Sequence, residues 1–343
     1  MLSTMGHLNE FSYKNEWSIV KSVISGVGSY LPDNVISNDD LSQILDTSDE
    51  WIQTRTGIRQ RHIILSDQTT SDLATEAAKK AMAAATRDNV DMVIVATTTP
   101  DQTCPAMAPA IAISLGLQDT PALDISAACT GFLYGLSIAD SMIRSGTYDS
   151  VLVIGAEAFS TLLDPTDRTT RVIFGDGAGA VVVEKGSAGA PGEILSVRLS
   201  SDGTRQDDIY VASGGVRERM ADSPVDPYFR MNGQAVFLRA VLKMEEAARL
   251  ALDDAGWEPS KLDGIVSHQA NARIIRALAE QLDVPEDHAF MNIADVGNTA
   301  AASIPIAMSA AYDSQVYTPG SPTLLAAYGA GATWGAAAFR WLA

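Results

Sequence analysis

Apolar positions fall along the chain in two alternating kinds of run. Short continuous runs rich in Val, Ile and Ala stand at 22–28, 91–97, 121–125, 150–156 and 178–184, and again at 193–200, 263–267, 322–327 and 333–340. Unbroken apolar runs of this length predict strands buried on both faces. Longer Ala-rich stretches separate them, at 70–86, 105–116, 130–145, 234–255, 272–282 and 299–312. Within 130–145, Phe132, Leu136, Ala139 and Ile143 recur at helical spacing, as do Ile274, Leu278 and Leu282 further on. One-sided stripes of this kind predict helices packed on a sheet. Strands alternating with helices define an α/β fold.

The order of elements occurs twice. A helix (70–86) leads to a strand, a helix, a strand, a buried helix (130–145) and a further strand, closing on FGDGAGAVVVE at 174–184. Helix 234–255 then leads to strand 263–267, helix 272–282, a short strand near 289–292 and helix 299–312, closing on YGAGATWGAAAF at 328–339. Both closing segments are rich in Gly and Ala and open on an aromatic-Gly pair. The shared order predicts a duplicated α/β unit. It divides the chain into a loose N-terminal extension (1–20), a first half (21–190) and a second half (191–343). The polar stretch 200–232 reads as a long surface excursion, and loops of that length are often functional.

Composition narrows the partners. A net charge of -18 over 343 residues argues against nucleic acid, because phosphate recognition needs clustered Lys and Arg. The two cysteines, Cys104 and Cys129, are too few for a disulfide scaffold and form no CxxC pair, so no metal is expected. No run approaches a membrane span and the first twenty residues hold no signal-type apolar core. A cytoplasmic protein with no membrane contact is expected.

Cys129, in LDISAACTGFLYG, stands where a strand turns through small residues into a helix. A helix start favours a thiolate, although a buried structural cysteine fits the same local sequence. Of four histidines, His268 ends the apolar strand GIVSH, and strand ends in α/β sheets face the ligand crevice. Asn298 opens a helix from a glycine loop, a place that also suits a helix cap. The loop YGAGATWG at 328–335 offers small residues whose N–H groups could hold an oxyanion. In a duplicated sheet these places converge on one crevice.

At this point the chain resembles the β-ketoacyl-acyl-carrier-protein synthase III family of thiolase-like condensing enzymes. The resemblance rests on SDEWIQTRTGIRQRHI (48–63), DISAACTGF (124–132), DPTDRTTRVIFGDGAGA (164–180), HQANARII (268–275), VGNTAAAS (296–303) and YGAGATWG (328–335). It implies a five-layered αβαβα sandwich of two similar halves, assembled as a homodimer. It makes Cys129 the acylated nucleophile, and His268 with Asn298 the decarboxylation pair. It gives the oxyanion hole to the N–H groups of Cys129 and Ala330. Trp51 and Arg168 would bracket the adenine of coenzyme A, with Thr47 and Arg55 nearby. Acyl-CoA and malonyl-acyl-carrier protein would be substrates, with no cofactor. Arg273, Arg276, Arg239 and Lys243 would dock the carrier protein, and Cys104 and Phe174 would belong to the acyl pocket. Related enzymes often carry Phe where this chain has Cys104, which suggests room for primers longer than acetyl. They also tend to carry Lys where this chain has Glu280 and Gln281, which predicts a smaller docking patch. A thiolase would need a second cysteine in the loop YGAGATWG, which has none. A secondary-metabolite ketosynthase or acyltransferase of the same subfamily is the alternative.

Overall fold

The computed structural model describes residues 20–343; the expected N-terminal extension lies almost wholly outside them. Two sheets carry the architecture. The first has five strands in the order Lys21–Tyr30, Gly177–Gly186, Ser150–Glu157, Met92–Ala96 and Ala122–Ile125. The second has four, in the order Ile194–Ser201, Thr333–Arg340, Pro322–Gly329 and Gly264–Ser267. Each begins with two antiparallel pairings and continues in parallel. The strand expected near 289–292 is reduced to a single parallel bridge between Ile265 and Ala289. That bridge stands where Ala122–Ile125 stands in the first sheet, so the duplication extends to the sheet edge.

Three helical layers enclose the sheets. The helices Gly131–Arg144 and Ser303–Asp313 lie between them: Phe132, Leu136, Ile304 and Met308 share one core with Ile94 and Val153 of the first sheet and Leu325 and Phe339 of the second. On the outer face of the first sheet, Val93, Val95 and Leu152 pack on Thr70–Ala84 and Ala108–Ser114. On the outer face of the second, Leu324 and Ala326 pack on Gly233–Ala255 and Ala272–Gln281. Neighbouring residues such as Val93 and Ile94 therefore enter different cores, as the two-residue period of a strand requires. This is the five-layered αβαβα sandwich.

Helix ends follow local chemistry. Thr69 and Asp72 form a reciprocal capping box at the start of Thr70–Ala84. Gly256, at φ 70°, closes Gly233–Ala255 in the left-handed conformation that glycine adopts without steric cost. The stretch 299–312 begins later than its apolar pattern predicts: Ala300–Ala302 form a 3-10 turn and the α-helix starts at Ser303. The excursion at 200–232 is only partly a surface feature. Its short strands Ile209–Val211 and Phe229–Met231 pair with each other and cover a cavity.

Candidate active site

The site lies where the two halves meet, and the turn that carries Cys129 is its centre. The strand Ala122–Ile125 ends, Ala128 takes φ 47°, and Cys129 sits in the 3-10 turn Ala128–Thr130 ahead of the helix Gly131–Arg144. A positive φ is costly for a residue with a side chain, and alanine has the smallest one. The turn is braced from the other half. Thr130 Oγ1 lies 2.6 Å from the Ala127 carbonyl and 2.7 Å from Thr333 Oγ1. Thr333 Oγ1 in turn donates within the loop that carries Ala330, whose carbonyl is 3.0 Å away. Gly329 approaches so closely that a Cβ there would stand 2.9 Å from the Cys129 nitrogen.

The sequence predicts a thiol tuned toward thiolate by a helix start. The structure corrects this. Cys129 precedes the helix by a 3-10 turn, and burial, followed by the charge of Glu157, pushes the thiol up to about 12. The resting side chain is a thiol.

His268 follows the strand Gly264–Ser267 directly, and its N–H donates to Ala326 at 2.8 Å. The ring is buried, its Nδ1 has no hydrogen-bond partner among the described residues, and burial pushes its pKa down to about 4. At neutral pH it is an uncharged imidazole. Asn298 is held by its backbone, which bonds both ways to the segment around Phe174: its N–H donates to Ile173 at 2.9 Å and its carbonyl accepts from Gly175 at 3.0 Å. It does not cap the following helix. Its Oδ1 accepts the Ala300 N–H at 2.9 Å, which turns the amide NH2 to the cavity.

Cys129, His268, Asn298 and Ala330 line one cavity of about 450 Å³. Phe159, Phe174 and Phe229 form an apolar wall beside them, with Phe159 stacked on Phe174 at 4.3 Å between ring centroids and Phe229 edge-on to both. Phe174, expected in the acyl pocket, lines this cavity. Cys104 is exposed and does not line the cavity of its own chain.

The four residues expected around coenzyme A lie outside the cavity lining. Arg55 and Arg168 flank the Trp51 indole, their guanidinium carbons 4.4 and 5.2 Å from its centre. Arg168 also donates to the Asp46 carbonyl at 2.5 Å. A purine between indole and guanidinium needs about 7 Å, two van der Waals separations, so the expected bracket is closed and Arg168 must move to admit a ring. Thr47 is half-buried and its Oγ1 has no partner among the described residues.

Of the four basic residues expected to dock the carrier protein, three lie beside carboxylates. Arg276 pairs with Glu286 at 2.7 Å, Lys243 with Glu246 at 2.6 Å, and Arg239 lies 3.8 Å from Asp208. Arg273 has no carboxylate partner among the described residues; it lies over the Phe237 ring at 5.2 Å.

Several residues at the site escape a sequence reading. Phe159, Phe229 and Met231 reach the cavity from loops and short strands with no periodic signal. Glu157 lies just past the apolar run 150–156, where an acid reads as the start of a solvated loop, yet it ends the strand Ser150–Glu157 fully buried, and burial pushes its carboxyl up to about 7.

Comparisons agree with this architecture. The duplicated sandwich is the thiolase-like fold of condensing enzymes. Residues 123–203 match the family described as 3-oxoacyl-[acyl-carrier-protein (ACP)] synthase III, and residues 252–341 match its C-terminal counterpart. Beta-ketoacyl-[acyl-carrier-protein] synthase III 3 of Streptomyces coelicolor is 51% identical over 325 residues, spanning 93% of this chain and 97% of its own. The crystal structure of 3-oxoacyl-(acyl carrier protein) synthase III from Pseudomonas aeruginosa PAO1 has a TM-score of 0.89 at 48% identity, covering 94% of this chain and 99% of that one. The priming β-ketosynthase of the R1128 polyketide pathway has a TM-score of 0.89 at 36% identity, covering 94% and 96%. The chain belongs to the β-ketoacyl-acyl-carrier-protein synthase III family and is an acyltransferase-type condensing enzyme. Among the described residues no helix is long and apolar enough to cross a membrane.

Proposed function

We propose that the protein condenses an acyl-CoA primer with malonyl-acyl-carrier protein, with loss of CO₂, to give a 3-oxoacyl-acyl-carrier protein and so initiate fatty acid synthesis. One observation carries this: a single cavity is lined by a thiol, a neutral imidazole and an amide whose NH2 faces inward.

Sulfur of Cys129 attacks the primer thioester, and the N–H groups of Cys129 and Ala330 hold the oxyanion. Coenzyme A leaves as its thiol, carrying the proton that Cys129 gives up. Malonyl thioester then enters and its carboxylate leaves as CO₂. The electron pair left behind makes an enolate, whose oxygen is held by His268 Nε2–H and the Asn298 amide. A positioned donor of this kind is typically worth about 3 kcal/mol in the transition state. A neutral histidine suits this task, because it donates without bringing a charge into an apolar pocket. The enolate carbon attacks the acyl-Cys129 carbonyl, and collapse releases the sulfur, which regains a proton from solvent. No cofactor enters these steps. The relatives' names supply the carrier protein as partner. A homodimer in the cytoplasm completes the proposal.

A second reading keeps the chemistry and lengthens the primer. In the family the residue at the Cys104 place reaches into the partner's pocket, and a short side chain there leaves space. The R1128 enzyme, named as a polyketide priming ketosynthase, shows the same fold at 36% identity. One experiment tests both readings. The protein is mixed with acyl-CoAs of graded length, the mass added to Cys129 is read, and malonyl-carrier protein is then supplied. An adduct that turns over to 3-oxoacyl product supports condensation. A Cys129→Ala protein that still condenses overturns it, and strict use of acetyl-CoA overturns the longer primer.

A further inference from the structure

The two halves correspond residue for residue around the site. Strands Ser150–Glu157 and Pro322–Gly329 have the same length and the same place in their sheets, so Glu157 answers to Gly329 and Ala158 to Ala330. The turns Ala128–Thr130 and Ala300–Ala302 are entered through left-handed alanines, Ala128 at φ 47° and Ala300 at φ 44°. Cys129 therefore answers to Ala301, not to Asn298, which stands three residues earlier. The two N–H groups proposed to hold the oxyanion, those of Cys129 and Ala330, have counterparts in Ala301 and Ala158.

Those counterparts are occupied. The Ala301 N–H faces the Glu157 carboxylate and works against the upward push of burial on its pKa. The Ala158 N–H donates to Thr99 Oγ1 at 2.9 Å, and that hydroxyl donates to Glu157 at 2.7 Å. Glu157 also accepts from the Thr98 N–H at 3.0 Å and from Thr98 Oγ1 at 2.8 Å. Every partner is a donor, as an ionised carboxylate requires. Thr98 itself lines the cavity, and the Cys129 turn packs on the Ala301 turn.

We infer that Glu157 plugs a second, unused oxyanion hole and from there acts as a positioning residue for Cys129: it ties the Thr98 loop to the Ala301 turn, on which the Cys129 turn packs, and sets a titratable charge beside the thiol. The thiol is pushed up by burial and then by Glu157, while the carboxyl, at about 7, changes charge across neutral pH. The other ionisable groups near it are His268, which is neutral there, and Asp176, which precedes the Gly177 paired with Glu157 but is turned to Ser160 and the Ile64 N–H. The Thr97–Thr99 loop and the Ala300–Ala302 turn carry none.

The inference rests on Cys129 being the acylated thiol, but its test needs no acyl transfer. Iodoacetamide alkylation is followed on the Cys129 peptide of the full chain from about pH 6 to about pH 9, for the wild type and Glu157→Gln. Equal rates are expected at the acid end, where the carboxyl already carries a proton. At the alkaline end the variant should react about threefold faster or more, half a pH unit of thiol ionisation. A ratio that does not change with pH overturns the inference and leaves Glu157 a structural brace. Should the variant fail to fold, the wild type alone decides. Its rate should rise less steeply above about pH 7, where the carboxylate forms, and a rise strictly proportional to hydroxide throughout overturns the inference. Alkylation proceeds whether or not acyl-CoA is a substrate, so failure of the proposed condensation is read separately.

Discussion

The side-chain carbonyl of Asn298 is committed to the Ala300 N–H at 2.9 Å, and this contact fixes which end of the amide meets the cavity. Replacing Asn298 with Asp keeps that acceptor and the side chain's shape. It exchanges the inward NH2 for an oxygen, which repels the enolate that the amide would stabilise. Asn298→Asp is expected to acylate on Cys129 at close to the wild-type rate while decarboxylation of the malonyl thioester falls by about 10²–10³. Stopped acylation and CO₂ release are measured separately. Equal losses in both would show that Asn298 is not specific to the second half-reaction.

Gly329 and Cys129 approach each other closely across the two halves, and the approach is backbone on backbone. An alanine at 329 would place its Cβ 2.9 Å from the Cys129 nitrogen and 3.3 Å from its Cβ. Neither atom is the end of a flexible side chain, so the turn itself must shift. Gly329→Ala is expected to lose about 1–3 kcal/mol of stability and at least about tenfold in acylation rate, because a displaced N–H no longer meets the oxyanion. Gly203→Ala, where an added Cβ meets nothing within 4 Å, is the control and should change neither.

The layers were legible from the sequence because the central strands are buried on both faces and each outer helix on one, so the two periods stand out. The repeat was legible from the order of elements, although identity between the halves is slight. What could not be read was the turn geometry. Nothing in GNTAAAS or SAACTG tells that both are 3-10 turns entered through a left-handed alanine, and so the correspondence of Cys129 with Ala301 was not legible. The state of the thiol was misjudged for a related reason. A helix start argues for thiolate, but the burial of Cys129 and the buried charge of Glu157 are tertiary and outweigh it. The aromatic wall was hidden because Phe159 and Phe229 come from short irregular segments, where no periodicity marks the inward side.

Arg273 and Arg276 share one helix and one sign of charge, but only Arg276 is spoken for, by Glu286 at 2.7 Å. If the carrier protein docks here, the free guanidinium gives the steering. Arg273→Glu is expected to lower turnover of malonyl-carrier protein about tenfold at low salt, with the loss shrinking as salt screens the contact. Arg276→Glu should cost less, since its charge is already neutralised locally. Acylation from acyl-CoA, which needs no carrier, is the internal standard and should be unchanged in both. An Arg273→Glu protein with normal carrier turnover would move the docking surface elsewhere.

His268 carries the clearest pH signature. Its ring is buried and its pKa is held down at about 4, against an ordinary value of 6.5. Between those values the unfolded chain binds a proton that the folded chain refuses. Stability therefore rises with pH across this window and is lost as pH falls through it; above about 6.5 neither state is protonated and the contribution vanishes. At about 1.4 kcal/mol per unit, the full loss is on the order of 3 kcal/mol. His268→Gln removes the titration and leaves His62 and His288 in place. Urea unfolding of both proteins between about pH 4.5 and 7 should give a shallower dependence for the variant, whatever the substitution costs at neutral pH. Parallel curves would mean that the folded ring accepts its proton as readily as the unfolded one, and that burial does not hold the imidazole neutral below about pH 6.5.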